Sequence, residues 1–283
     1  MRFVVIAILF SLSYQRCFTQ NILSPESKNV KYLWDIFYTE KQDSLQSIDV
    51  YWNRTSQNAK VLVFVHGGGW LSGDKKQYRD MAFNLANNGI TVVLINYRLS
   101  PNVKFPAHIE DVAAATHWVF SFIDEYNGDK ASIYLMGHSA GAQLISLLLC
   151  DKKYLGKYKM IPGAIAGAIT LSGVFEIKPQ EGGATKKYLG MVFGDDEMIW
   201  KDASCKNHFD TVNHQIPLFL ISWCSEEDNL IVNENLNFMD ELKKSEIKFQ
   251  TYTFSGKDHY AFKKELTNSK SAFFRRVIQF MGN

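Results

Sequence analysis

The sequence predicts an α/β fold: one mostly parallel central sheet with helices on both faces. Three observations carry this. From about residue 45 onward, short apolar runs rich in Val and Ile alternate with segments of helical pattern, as in a sheet built from strand–helix–strand units. Val61-Leu62-Val63-Phe64-Val65 is apolar throughout, as a central strand covered on both faces must be. Ala131–Met136, Gly137-His138-Ser139-Ala140-Gly141 and Ala142–Leu149 read in succession as a buried strand, a tight turn and the start of a buried helix.

Taken in order, Met1-Arg2 followed by Phe3–Phe10 and a polar exit at Ser11-Leu12-Ser13 fits a secretory signal peptide over residues 1–20. The apolar run is shorter than the ~20 residues a membrane span takes. The alternatives are an uncleaved anchor or a buried strand. A signal peptide implies a secreted or secretory-lumen protein, with a single domain over 21–283. Residues 21–43 carry Tyr32, Leu33, Trp34, Ile36, Phe37 and Tyr38, either a helix lying over a functional site or an ordinary packing segment. Leu45–Trp52 alternates like an antiparallel strand. Strands then follow at 61–65, 91–96, 131–136, 164–171, 217–223 and 248–254. Helices are predicted near 77–88, 109–126, 142–149, 233–244 and 269–281. Residues 173–213 read as irregular. They form a cap-like insert whose Tyr188, Leu189, Met191, Phe193 and Trp200 either cover an apolar pocket or make a small core of their own.

Composition narrows the function classes. The chain has 283 residues, 46% hydrophobic and 21% charged, enough for one large domain with a sizeable core. Without residues 1–20, which hold Arg2 and Arg16, basic and acidic residues balance at 29 each, so no basic excess suggests a nucleic-acid partner. There is no charge block, low-complexity tract or repeat. The four cysteines, Cys17, Cys150, Cys205 and Cys224, have no metal-site or disulfide-framework spacing. Cys150 and Cys224 lie in apolar runs and are expected to pack as small hydrophobes; one bridge involving Cys205 stays open. Asn53-Arg54-Thr55 is an N-glycosylation sequon, relevant if the chain is secreted.

The chemistry gathers where strands end. In a strand–Gly-x-Ser-x-Gly–helix unit the turn is so tight that side chains at Gly137 and Gly141 would collide with their surroundings. The strained serine is pushed out above the sheet edge as a nucleophile. After the 61–65 strand comes His66-Gly67-Gly68-Gly69-Trp70. Bare peptide N–H groups there suit an oxyanion, and losing one such donor costs roughly 2.7–4 kcal/mol. Gly68 and Gly69 are the candidate donors, with Ala140 behind the nucleophile as the third. His66 is expected to fix the loop rather than move protons; Trp70 walls the pocket or belongs to the core, and His138 is a second pocket candidate. A serine hydroxyl needs an imidazole, and the imidazole needs a carboxylate. His259, after the last strand, is the candidate base. The acid should follow the 217–223 strand, where Ser225-Glu226-Glu227-Asp228-Asn229 offers three carboxylates. Asp228, late in that loop, is the first choice, ahead of Glu227 and Glu226. Asp258 reads as a surface charge.

These motifs, with Ser72-Gly73-Asp74-Lys75, Asn96–Pro101, Phe105-Pro106-Ala107, Ile109–Val112 and Leu171–Phe175, resemble the α/β-hydrolase fold over about residues 45–281. Within it they look like the carboxylesterase and hormone-sensitive-lipase-like branch, close to bacterial-type esterases and to arylformamidases (kynurenine formamidases). The resemblance implies a Ser139–His259–Asp228 triad that forms an acyl-enzyme on small to medium acyl esters, with no metal or cofactor. It leaves N-formyl amide hydrolysis as an alternative, and an inactive binding module as a remote one. A small ester or formamide would be the partner, with neither nucleic acid nor a stable membrane span involved; oligomeric state is left open. It also implies a structural role for Arg98 and Asp111, pinning the 97–111 loop beneath the site.

Overall fold

The computed structural model describes residues 28–179, 184–209, 216–256 and 258–282. The predicted signal peptide, Cys17 and parts of the insert (180–183 and 210–213) lie outside the described residues.

The chain runs β1 (Val30–Phe37), β2 (Ser47–Asn53), β3 (Ala59–Val65), α1 (Arg79–Asn87), β4 (Thr91–Ile95), α2 (Ala107–Phe122), β5 (Gly128–His138), α3 (Ala140–Cys150) and α4 (Lys152–Gly156). It continues through β6 (Gly167–Leu171), α5 (Ala184–Phe193), α6 (Glu197–Asp202), β7 (Phe219–Cys224), α7 (Asn229–Lys244), β8 (Phe249–Phe254), α8 (Ala261–Leu266) and α9 (Ala272–Phe280). The eight strands form one sheet in the order β1-β2-β4-β3-β5-β6-β7-β8. β1 and β2 pair antiparallel, β2 joins β4 antiparallel, and every other pair is parallel.

Period-two alternation sorts the core into two layers. Val61, Val63 and Val65 of β3 pack on the side covered by α2, α3 and α7. Leu62 and Phe64 pack on the other side, under α1, α8 and α9. α3, apolar but for Gln143 and Ser146, is buried along its whole length, as expected of a helix with so little polar surface.

Two segments differ from expectation. The aromatic patch before Leu45 is not a helix over the site; it packs as the edge strand β1, whose register slips between Leu33 and Ile36. The insert is not irregular: it carries α5 and α6. Leu189, Val192, Phe193 and Trp200 join the main core, and Phe193 stands edge-on to Trp70 with ring centroids 5.0 Å apart. Cys150, Cys205 and Cys224 are buried, and Cys205 forms no bridge among the described residues. No helix among the described residues is long and apolar enough to cross a membrane.

Candidate active site

Five parallel strands end along one rim. Val65 pairs with Gly137, His138 with Leu171, Leu171 with Ser222, and Cys224 with Phe254. The loops that follow, at 66–74, 139, 172, 225–228, 255–256 and 258–260, therefore meet at the carboxyl edge of the sheet, where such sheets bind ligands.

Ser139 sits there with φ 53° and ψ −116°. That backbone region costs a side-chain-bearing residue ~1–3 kcal/mol, so its surroundings must hold it. Its N–H donates to Leu171 O at 2.8 Å, and its carbonyl accepts from Ala142 N at 2.9 Å and Gln143 N at 3.2 Å. A Cβ on Gly137 would strike the Gly141 carbonyl, and one on Gly141 would strike the Val65 carbonyl. The two flanking glycines are steric requirements of the turn.

The oxyanion loop is set by where its carbonyls are held. His66, buried and stacked on Tyr97 with centroids 4.4 Å apart, donates from Nδ1 to Gly67 O at 2.7 Å. Gly68 O accepts from Leu71 N at 3.2 Å, Ser72 N at 3.0 Å and Ser72 Oγ at 3.1 Å. In a trans peptide the N–H points opposite the C=O. Holding the Gly67 and Gly68 carbonyls on one side thus turns the Gly68 and Gly69 N–H groups to the other. Neither these two amides nor that of Ala140 donates to another described residue. Burial lowers the His66 imidazole to about 4, so it is a neutral loop brace, as expected. Tyr188 of α5 donates its hydroxyl to Gly69 O at 2.7 Å, which ties the insert to the same loop.

His259 meets a carboxylate, but not the one expected. Its Nδ1 is hydrogen-bonded to Glu227 Oε1. Glu227 is buried, and its other oxygen accepts from Ser172 Oγ at 2.8 Å and from Cys224 N at 3.3 Å. Asp228 is instead the N-cap of α7: it is exposed, and its Oδ1 accepts from Leu230 N at 2.8 Å. The cause is the helix start. α7 begins at Asn229 rather than near 233, and an Asp directly before a helix is a preferred cap. Glu226 and Asp258 are exposed, the latter capping Tyr260 N at 2.8 Å. A carboxylate on Nδ1 fixes the tautomer that leaves Nε2 free to take a hydroxyl proton.

Of the two pocket candidates, His138 is corrected and Trp70 takes its core alternative. His138 is fully buried, with ring centroids 4.4 Å from His259 and 4.7 Å from Phe262. It packs behind the site and does not line a pocket. Trp70 is buried too, donating Nε1 to Gln143 Oε1 at 3.1 Å, so it belongs to the core beneath the loop.

Comparison with known proteins gives the family and the fold. Residues 48–241 match the BD-FAE family model. The chain belongs to the BD-FAE family. Among its relatives is LipM of Mycobacterium tuberculosis, a probable carboxylic ester hydrolase, 28% identical over 65% of this chain and 45% of its own length. Another is the kynurenine formamidase of Drosophila melanogaster, 23% identical over 76% of this chain and 71% of its own. The chain matches less than half the length of LipM, esterase LipC and the Salmo salar kynurenine formamidase. In fold it is similar to esterase B from Lactobacillus Rhamnosis, with TM-score 0.76 and 19% identity over 89% of this chain and 85% of that one. Its fold is the α/β-hydrolase fold.

In this BD-FAE member Asp111 is buried and holds the 97–111 loop as expected. It accepts from Arg98 Nε at 2.8 Å, Arg98 Nη2 at 2.7 Å and Gln46 Nε2 at 2.6 Å. Asp151, Asp202 and His208 bring three ligand atoms within 4.8 Å of one another. The Lys153 ammonium already lies 2.8 Å from Asp151 and 2.9 Å from Asp202, so a cation occupies that charge. Sequence reasoning missed Ser172 as the partner of the acid. Its place right after β6, beside the elbow strand, was the one available signal.

Proposed function

We propose that the chain is a serine carboxylic-ester hydrolase that works through Ser139, His259 and Glu227. Ser139 Oγ attacks the acyl carbon while His259 Nε2 takes its proton. The new oxyanion is held by the amides of Gly68, Gly69 and Ala140, donors turned to that side before substrate arrives. His259 then protonates the departing alcohol, and the acyl-enzyme is cleared by a water that His259 deprotonates. Glu227 holds the imidazole in its productive tautomer and stabilises the transient cation. Small to medium acyl esters are the proposed substrates.

The observation that carries this reading is the buried Glu227 carboxylate on His259 Nδ1, at the rim where Ser139 is held at φ 53°. The test is a panel of aryl esters and N-formylkynurenine, with the wild type and Ser139→Ala. Turnover should fall by on the order of 10⁴ or more in the variant; a Ser139→Ala protein within tenfold of wild type overturns the assignment. N-formyl amide hydrolysis is a second reading. It is favoured by the Drosophila kynurenine formamidase, which is matched over 71% of its length, against 45% for LipM. The residues would act in the same way, and the ratio of kcat/KM between the two halves of the panel decides.

A further inference from the structure

The loop that carries His259 needs more than the Glu227 bond to hold it. It runs from β8 to α8, and Ser255, Asp258 and Tyr260 on it are exposed. Glu227 fixes the ring at Nδ1, and the backbone beneath it is tied by Glu226 N to Gly256 O and by Ala261 N to Asp258 O, both at 3.0 Å, neither of which reaches the His259 carbonyl. Two buried side chains outside the triad address that backbone. His138 Nε2 lies 2.9 Å from His259 O, and Cys224 Sγ lies 2.9 Å from Asp258 O. A carbonyl oxygen only accepts, so the imidazole N–H and the thiol S–H are both donors here. We propose that His138 and Cys224 are positioning residues for the general base, holding the carbonyls of His259 and Asp258 so that the imidazole stays in register with Ser139.

Three features separate this from ordinary packing. First, the other ring nitrogen of His138, Nδ1, is buried with no partner among the described residues. It faces the oxyanion loop: a Cβ on Gly67 would sit 2.8 Å from it. An apolar residue would avoid the cost of that unpaired atom, ~1–3 kcal/mol, so what the imidazole adds at this position is the N–H at Nε2. Second, both groups keep their protons. Burial holds the His138 imidazole well below its ordinary range, so the ring is neutral with one N–H, and burial pushes the Cys224 thiol up to about 11. Third, His138 is bonded to Ser139 through the chain. Its bond to His259 O couples the backbones of nucleophile and base, so a displacement of the elbow carries the imidazole with it. A misplacement of about 1 Å at reacting atoms costs on the order of 10²-fold in rate.

The proposal rests on the hydrolase reading, and the experiment separates the two. His138→Gln keeps an N–H near the Nε2 position; His138→Leu keeps bulk and removes the donor. With an aryl ester that wild type turns over, His138→Leu should lower kcat by about 30- to 100-fold with KM within about twofold, and His138→Gln should recover to within about fivefold of wild type. Cys224→Ala is the second pair's test, should His138→Leu not fold. It is expected to lower kcat by about 3- to 10-fold at unchanged KM, with Cys224→Ser restoring most of it, as one neutral hydrogen bond implies. Folded His138→Leu with wild-type kcat overturns the proposal, as does folded His138→Gln as impaired as His138→Leu. If His138→Leu does not fold, Cys224→Ala with wild-type kcat overturns it. A wild type without ester or formamide turnover, or an active Ser139→Ala, sinks the hydrolase reading instead.

Discussion

Replacing Glu227 by Gln turns the acid's two oxygens into one oxygen and one NH₂, and the surroundings decide which goes where. The inner position faces Cys224 N at 3.3 Å and Ser172 Oγ at 2.8 Å. The Ser172 hydroxyl can rotate to accept, but the Cys224 N–H is fixed at the end of β7 and only donates. An NH₂ placed there would oppose it, leaving a buried donor unsatisfied at ~1–3 kcal/mol. The Gln oxygen therefore takes the inner position and the NH₂ faces His259 Nδ1. That nitrogen must then accept, the proton moves to Nε2, and the imidazole can no longer receive the proton of Ser139. The expected loss in kcat is on the order of 10⁴, about 5.5 kcal/mol of barrier, with little change in KM. Asp228→Asn is the control. Asn caps helices about as well as Asp, so activity should stay within about twofold and stability should hardly move. Steady-state hydrolysis of an aryl ester by both variants, alongside their thermal midpoints, is the assay. A Glu227→Gln protein within tenfold of wild type, or an Asp228→Asn protein that loses more than a hundredfold, refutes the assignment.

Two further outcomes follow from buried groups. Burial holds His66 and His108 at about 4, against an ordinary value of 6.5, so as pH falls from about 7.5 to about 5 the unfolded chain takes up protons that the native chain refuses. Stability should drop by about 2 kcal/mol for each histidine, read as a lower urea midpoint. His138 acts in the same direction; Glu234, raised by burial, opposes it, and the lowered carboxylate Asp35 contributes only below about pH 4. A urea midpoint that stays constant over that range contradicts the neutral assignment. Tyr188→Phe removes the hydroxyl that grips Gly69 O at 2.7 Å. It should lower kcat/KM by about 2- to 10-fold, the value of one neutral hydrogen bond; unchanged kinetics would mean that the insert does not brace the loop.

What could be read from the sequence was what is local. The elbow announces itself because strand, turn, glycines and helix are contiguous, and the steric conflict that demands the glycines involves residues a few positions apart or on the next strand. The sheet announces itself because each parallel strand is apolar enough to be covered twice. β1 hid because its period breaks: Asp35 at φ 55° lies within the slip between Leu33 and Ile36, and a bulge puts neighbouring side chains out of alternation. The acid hid among three adjacent carboxylates, since the choice between Glu227 and Asp228 depends on the single residue at which α7 starts.

His66 and Asp111 were legible as supports from their motifs; the supports that were not share a physical reason, since each is a polar group whose partner lies far along the chain. His138 reaches residue 259, Ser172 reaches 227, and Tyr188 reaches 69. The same holds beyond the oxyanion loop. Lys75, fully buried, pairs with Asp49 at 2.7 Å and with Asp35, and its N–H donates to Asn96 Oδ1 at 2.7 Å. A buried ammonium is tolerable only when several acceptors share it, so this one ties the exit of the oxyanion loop to β2, to the end of β4 and to β1 at once. Nothing in Ser72-Gly73-Asp74-Lys75 distinguishes that lysine from a surface one. The reacting groups are specified by short motifs because their geometry is set within a turn, whereas the groups that keep them in place are specified by the topology, which becomes visible only when the strand ends converge.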